Sequence, residues 1–298
     1  MIKITDLAYA AGYFDGDGCF HIGKIFSEER IKYRYMAVIN STEIHTLQWF
    51  QRIFGGCVTT YKKSIDKQKP LHRFVVKGKH LDSFKEIQSF LIEKIDEFHT
   101  FEKFRDPSLR DQRDSLILEM ERLKNHVNLI PQSIKQEVES IRNTIIPSEC
   151  DFAYLAGFID AECCLSINKS HPQGKPNPTY KILLQCNNTK SPCFKWLSQR
   201  FGGQFHFVDR SNFTTSHRNQ MCWRVSAASL ANILPKIHPF LIHKKPVCEE
   251  LMNFSKTMIP LKDMISRNSP AFAEFYKPIL DERERIFHRI QALNKKGV

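Results

Sequence analysis

The feature that most constrains this chain is an internal duplication. The segment Leu7-Ala8-Tyr9-Ala10-Ala11-Gly12-Tyr13-Phe14-Asp15-Gly16-Asp17 returns as Phe152-Ala153-Tyr154-Leu155-Ala156-Gly157-Phe158-Ile159-Asp160-Ala161-Glu162, 145 residues later. Asn40-Ser41-Thr42, Trp49 and Phe54-Gly55-Gly56 return as Asn187-Asn188-Thr189, Trp196 and Phe201-Gly202-Gly203 at an offset of 147. Ile87, Phe90-Leu91-Ile92 and Lys94 return as Ile237, Phe240-Leu241-Ile242 and Lys244 at 150. Order is kept and the offset drifts by five across 298 residues, so the chain holds two copies of one fold that differ by small loop insertions. The period is far longer than the roughly 20–50 residues of a solenoid repeat.

Each copy reads alike. An apolar helix (about 7–16 and 152–161) runs into a partly alternating strand (Phe20 to Phe26; Leu165 to Lys169). A charged loop follows, Ser27 to Lys32 in copy one and His171 to Pro176 in copy two, and then a second strand (Arg34 to Asn40; Tyr180 to Asn187). A helix carrying Ile44, Leu47 and Phe50, or Phe194 and Leu197, stops at the Gly-Gly, where glycine ends helices readily. Two more strands (57–63 and 72–77; 204–209 and 221–226) and closing helices complete it. The order αββαββα, repeated, predicts an α+β fold with antiparallel sheets covered by helices on one face. The expected organisation is an N-terminal subdomain over residues 1–128, a connector over 129–150 and a C-terminal subdomain over 151–298. Trp49 and Trp196 read as core.

Charge narrows the partner. Forty-four Lys and Arg against 32 Asp and Glu give +12, an excess that calls for a polyanion such as nucleic acid or an anionic membrane surface. A membrane partner is disfavoured: no run approaches the ~20 apolar residues of a spanning helix, and the amphipathic stretch Asp281 to Asn294 mixes acids with its cations. Met1-Ile2-Lys3-Ile4-Thr5-Asp6 resembles neither a secretory signal nor an organellar presequence. The expected location is the cytoplasm, or a chloroplast or mitochondrion that encodes the protein. Nine cysteines, without a C-x-x-C pair or zinc-finger spacing, read as free and mostly buried thiols.

The chemistry lies in the first helix of each copy. Ala8, Ala11-Gly12 and Gly16, mirrored by Ala153, Ala156-Gly157 and Ala161, recur at spacings of three and four on one helix face. Such a stripe admits a second backbone at close range, and its natural partner is the other copy's stripe, across a pseudo-twofold axis. Asp17 and Glu162 then meet at the C-terminal ends of the pair, where each helix dipole disfavours an anion. Divalent cations relieve that arrangement, and oxygen ligands suit Mg²⁺. Paired acidic metal sites hydrolyse phosphodiesters. Lys94 and Lys244 form a second matched pair, able to offset charge developing on a phosphate. Asn40 and Asn187 form a third, able to orient a water.

Ala10-Ala11-Gly12-Tyr13-Phe14-Asp15-Gly16-Asp17-Gly18 and Leu155-Ala156-Gly157-Phe158-Ile159-Asp160-Ala161-Glu162-Cys163 closely resemble the LAGLIDADG motif. The chain is similar over nearly its whole length to single-chain, two-motif LAGLIDADG homing endonucleases. That resemblance implies that Asp17 and Glu162 bind the catalytic metals, helped by the carbonyls of Gly16 and Ala161, while Asp15 and Asp160 are largely structural. It implies basic residues at the site's edge (Lys94, Lys244) and solvent-positioning amides (Asn40, Asn187). It further implies a monomer whose sheets form a saddle on double-stranded DNA and whose double-strand cut leaves 3′ overhangs. Mg²⁺ is the expected cofactor, with Mn²⁺ substituting and Ca²⁺ binding without supporting cleavage. Two departures stand out: Cys163 replaces the usual glycine after the second motif, and Glu162 is one methylene longer than the usual Asp.

If the sheets face DNA, one side of each strand meets the major groove. The candidates in copy one are Lys24, Arg30, Lys32 and Arg34 of the first hairpin, with Tyr61, Lys62, Lys63, Lys67, Lys69 and Arg73 of the second. In copy two they are Asn168, Lys169, Lys175 and Lys181, then Arg210, Arg218, Asn219 and Gln220. One helical turn per copy gives a target of about 20 bp, asymmetric because the copies differ in their loops. Two other functions share the fold: an RNA maturase that assists its own intron RNA, and a DNA-binding regulator without cleavage. Acids retained in both copies argue against the regulator.

Overall fold

The computed structural model describes residues 2–27, 30–61, 69–125, 136–137, 140–174, 177–188, 191–208, 220–258 and 270–296. Copy one begins with α1 (Ile4–Asp17), followed by β1 (Gly18–Ser27), β2 (Arg30–Ser41), α2 (Ile44–Phe54), β3 (Cys57–Tyr61) and β4 (Leu71–Val76). A short α3 (His80–Phe84), a 3₁₀ turn (Lys85–Phe90), α4 (Ile95–Arg105), a second 3₁₀ turn (Pro107–Gln112) and α5 (Arg113–Asn125) close it. Copy two repeats the plan with α6 (Glu149–Glu162), β5 (Cys163–Ser170), β6 (Thr179–Asn188), α7 (Ser191–Phe201), β7 (Gln204–Val208), β8 (Gln220–Val225), α8 (Ala227–Ile237), α9 (Lys245–Lys256) and α10 (Pro270–Lys296). Both sheets are antiparallel and share one order, β1-β2-β4-β3 and β5-β6-β8-β7. The α+β class and the duplicated plan are therefore as the sequence predicts.

One local expectation is corrected. The first hairpin of copy one does not open at Ser27: β1 and β2 stay paired to Ser27 opposite Arg30, so Arg30, Ile31 and Lys32 belong to a strand. Phe26 pairs with Ile31 and Ile25 with Lys32, and the three apolar residues are all exposed. Two β-strands in register outlast the charge pattern that marks a loop, because the ladder's backbone hydrogen bonds do not depend on side-chain polarity.

Each sheet buries one face. In sheet one Phe20, Ile22, Ala37, Ile39, Phe74 and Val76 point into the helices. In sheet two Leu165, Ile167, Ile182, Leu184, Trp223 and Val225 do the same. Strand alternation sends the intervening residues to the opposite, helix-free face. Trp49 packs edge-on against Tyr9 at 4.9 Å and Trp196 packs tilted against Tyr154 at 4.6 Å; both are partly buried at the edge of the core, whereas the sequence predicts them inside it. All nine cysteines are free, and five are buried. Among the described residues no helix is long and apolar enough to cross a membrane.

Candidate active site and nucleic-acid face

The two motif helices, α1 and α6, cross at the paired glycines. A Cβ built on Gly12 would lie 2.1 Å from the Tyr154 carbonyl oxygen, and one on Gly157 would lie 2.0 Å from that of Tyr9. Only glycine permits this approach. Nearer the C-terminal ends, a Cβ on Gly16 would lie 2.5 Å from the Ala161 Cβ and 2.9 Å from the Glu162 Cγ. The small-residue stripes therefore serve as predicted, and they bring Asp17 and Glu162 to one place from two copies.

The first acid of each motif is a clamp. Asp15 is 2% exposed. It accepts backbone N–H bonds from Ile92 (2.7 Å), Glu93 (3.1 Å) and Lys94 (2.9 Å), and the hydroxyl of Tyr154 from the other copy (2.7 Å). Asp160 repeats this with the N–H groups of Ile242 (2.8 Å), His243 (3.1 Å) and Lys244 (2.7 Å) and the hydroxyl of Tyr9 (2.8 Å). The donated N–H groups lie at the starts of α4 and α9, where a carboxylate is favoured. Burial still pushes both acids above the usual carboxylate range, against the pull of their donors. The residue ahead of each lysine also crosses the interface. Glu93 Oε1 accepts the Cys193 N–H at 3.1 Å, and His243 Nδ1 lies 3.5 Å from Glu43 Oε2. Burial, with Lys244 and Lys69 nearby, lowers His243 to about 4, so it is neutral near pH 7 and that contact is no ion pair.

The second acids end their helices. Asp17 is half-buried, and burial together with the Glu162 carboxylate pushes its pKa up to about 7. Glu162 opens further to solvent, yet the surrounding protein raises it too. Lys94 and Lys244 pull both acids the other way. Their amines do not reach freely outward. Lys94 Nζ donates to the Asp15 carbonyl and, at 3.4 Å, to that of Gly16. Lys244 Nζ donates to the carbonyls of Ile159 (2.5 Å) and Asp160 (2.9 Å). Each lysine thus neutralises the negative end of its own motif helix directly behind the acid.

The donor set fits a divalent cation. Two carboxylates from separate copies repel one another, carry hard oxygens and sit at two dipole ends, which is an environment a hard cation stabilises. Among the described residues no group of three or more His, Cys, Asp or Glu side chains gathers here. Mg²⁺ is commonly held by one or two carboxylates, with waters and substrate phosphate in its remaining positions. Gly16 O accepts the Lys94 ammonium at 3.4 Å.

The amides stand differently. Asn40 lies on the helix-free face of β2, level with Asp17, since Gly18 pairs with Ile39. Asn187 accepts from Gln185 Nε2 at 3.4 Å, so it is engaged along its strand. Sequence reasoning missed a polar group nearer Asp17: the Tyr13 hydroxyl, pushed up by burial and by Asp17, donates to Ser41 Oγ at 3.2 Å, which also accepts the Glu43 N–H at 3.1 Å.

The helix-free faces carry most of the described DNA candidates: Arg30, Lys32, Arg34, Tyr61 and Arg73 in sheet one, and Asn168, Lys181 and Gln220 in sheet two. Lys69 stands beside them, 3.9 Å from Glu43. Two candidates are corrected. Lys24 is in phase with Phe20 and Ile22 and bonds Asp114 of α5 at 2.6 Å. Lys169 is in phase with Leu165 and Ile167 and bonds Glu284 of α10 at 2.6 Å. Strand parity sends both lysines to the helix side. Lys62, Lys63, Lys67, Lys175, Arg210, Arg218 and Asn219 lie outside the described residues. Sequence reasoning also missed His21, whose Nε2 lies 3.0 Å from Arg34, and the pair Gln185 and Arg224, joined at 3.0 Å.

Comparison with known proteins agrees with this geometry. Residues 10–105 match the LAGLIDADG endonuclease family. No curated protein sequence matches the chain significantly. Among solved structures, the homing endonuclease I-LtrWI bound to target DNA superposes with a TM-score of 0.61 at 17% identity, covering 94% of this chain and 98% of that one. I-GzeII in complex with a DNA target gives 0.61 at 16%, covering 93% and 97%. I-SmaMI bound to uncleaved DNA in the presence of calcium ions gives 0.63 at 14%, covering 96% and 98%. These likenesses show the fold. Residues 10–105 thus match the LAGLIDADG endonuclease family, and the whole chain shares the fold of single-chain, two-motif LAGLIDADG structures.

Proposed function

We propose that this protein is a site-specific DNA endonuclease that cuts both strands of a long asymmetric duplex, about 20 bp, to leave 3′ overhangs. The observation that carries the reading is the pair Asp17 and Glu162, one from each copy, brought together by the glycine crossing with a pinned lysine behind each. A structural helix pair has no need of acids at its two unfavourable ends, whereas a divalent-ion site does. Asp17 and Glu162 would hold the cation, with Mg²⁺ proposed. When bound, such a cation supplies Lewis acidity to the phosphodiester and offsets charge on the leaving oxygen. Lys94 and Lys244 favour the ionised form of both acids against the burial that raises them. Asp15 and Asp160, clamped by six N–H groups and two tyrosine hydroxyls, fix the helix ends so that both acids keep their spacing. The basic helix-free faces hold the duplex, steered by the net charge of +12.

The test is selection from a library of randomised duplexes, with Mg²⁺ and with EDTA. One asymmetric consensus, cut only with the metal, is the expected result. A consensus bound but uncut with every divalent ion tried would remove the nuclease reading and leave a binding protein, with intron RNA as the next ligand to assay.

A further inference from the structure

Strands β4 and β8 carry one arginine each on their helix-free faces, but in different rows. In β4 Arg73 pairs with Asn40 on one side and Thr59 on the other. The row containing Asn40 is level with the end of α1, because Gly18, which follows Asp17, pairs with Ile39. The next row out on the same face is apolar, Val38 opposite Val75. In copy two the arrangement is exchanged. The row level with the end of α6 holds Asn187 opposite Cys222, a thiol only 1% exposed. The next row out holds Gln185 opposite Arg224. One same-face step is two residues, or about 6.8 Å along an antiparallel strand.

The two guanidinium groups have different neighbours. Arg224 is exposed, and its Nε donates to Gln185 Oε1 at 3.0 Å. Gln185 is itself held by Asn187 at 3.4 Å. Arg73 has the Tyr61 hydroxyl as a neighbour, and its buried Nε has no hydrogen-bond partner among the described residues. No strand residue in either row is a carboxylate, although Asp17, at the end of α1, stands level with the Arg73 row. A guanidinium fork oriented by neutral sheet neighbours and presented end-on from a sheet face matches the two acceptors, O6 and N7, of guanine in a major groove. A lysine-like phosphate contact requires no such support.

We infer that Arg73 and Arg224 each read a guanine, and that the two guanines lie at unequal distances from the target's centre, the one read by Arg224 about two base pairs farther out. The step of about 6.8 Å corresponds to two nucleotides at 3.4 Å each. This rests on the DNA reading above and adds to it: the target's asymmetry begins in the sheets' inner rows and not only in their loops.

The experiment is competitive binding and cleavage profiling of the full chain on the wild-type selected duplex and its single-base variants, for wild type, R73A, R224A, R73K and R224K. The expected result is that R224A loses preference for G·C at one position of the copy-two half by about tenfold to a hundredfold. R73A does so at one position of the copy-one half, two base pairs nearer the centre. The lysine variants keep most of their affinity and lose the discrimination, which separates base readout from loss of folding. Relaxed positions at equal distances from the centre, unchanged base preferences in both alanine variants, or a uniform loss of affinity across all sequences would overturn the inference while leaving the nuclease reading intact. If wild type selects no consensus, both fall together.

Discussion

Replacing Gly12 with Ala sets two known effects against each other. Alanine is the better helix former by about 1 kcal/mol, so a helix judged alone gains stability. The added Cβ would meet the Tyr154 carbonyl oxygen at 2.1 Å and the Phe158 nitrogen at 3.1 Å, both backbone atoms of α6 that no rotamer change can move. Restoring an ordinary 3.4 Å contact requires the helices to part by about 1.3 Å at the crossing. Overpacking of this kind costs about 3 kcal/mol at its upper end, leaving a net loss of about 2 kcal/mol, or 4–8 °C in Tm for a domain of this size class. The same opening displaces Asp17 from Glu162, and about 1 Å of misplacement costs on the order of 10²-fold in rate. Gly157→Ala should behave alike, since its Cβ would meet the Tyr9 carbonyl oxygen at 2.0 Å. The assay is thermal denaturation beside single-turnover cleavage. A Gly12→Ala protein as stable as wild type and cutting at its rate would refute the crossing geometry.

Other consequences follow from the same site. Tyr9→Phe and Tyr154→Phe each remove one donor from a buried carboxylate, so each should cost about 1–3 kcal/mol in denaturant unfolding; neutrality of both would mean the cross-copy clamps contribute nothing. Without metal, ionised Asp17 opposes folding, because its folded pKa, about 7, stands above its unfolded value. Stability from this group is therefore full below about pH 4 and is lost as pH rises through about 7. Asp17→Asn should stabilise the metal-free protein at pH 8 and make no difference at pH 4, and Tm measured at both values checks the sign. Adding Mg²⁺ at pH 8 should raise the stability of the wild type by about 1.4 kcal/mol at ten times its Kd, with no such gain in the Asp17→Asn, Glu162→Gln double variant. Lys94→Met removes a cation that lowers both acids, so the acid limb of the pH–rate profile should move to higher pH; an unmoved limb would sink that assignment.

Much of this was legible because duplication supplies its own control. Residues such as Asp17 and Glu162, unremarkable singly, become a site when two copies place them at one helix position. Strand parity explains the two misread lysines: Lys24 and Lys169 sit in basic-looking hairpins, but their phase matches Phe20–Ile22 and Leu165–Ile167, and that phase was available in the sequence. The clamps were not. Nothing local tells Tyr9 that it will bond Asp160, 151 residues away, or Glu93 that it will accept from Cys193. Those pairings exist only once the helices cross, and the crossing depends on backbone contact that no side-chain pattern spells out. Arg224 escaped notice for a related reason: its partner Gln185 is supplied by cross-strand register.

The central claim is that one acid from each copy builds a single metal-dependent nuclease. Once a target is in hand, the most direct measurement is cleavage of a supercoiled plasmid carrying it by wild type, Asp17→Asn and Glu162→Gln, each with Mg²⁺ and with EDTA, after binding has been verified for all three. The account predicts linear product from wild type with Mg²⁺ alone, and loss of linear product in each variant despite retained binding. Full-rate, double-strand cutting by either variant, or by wild type in EDTA, would contradict it.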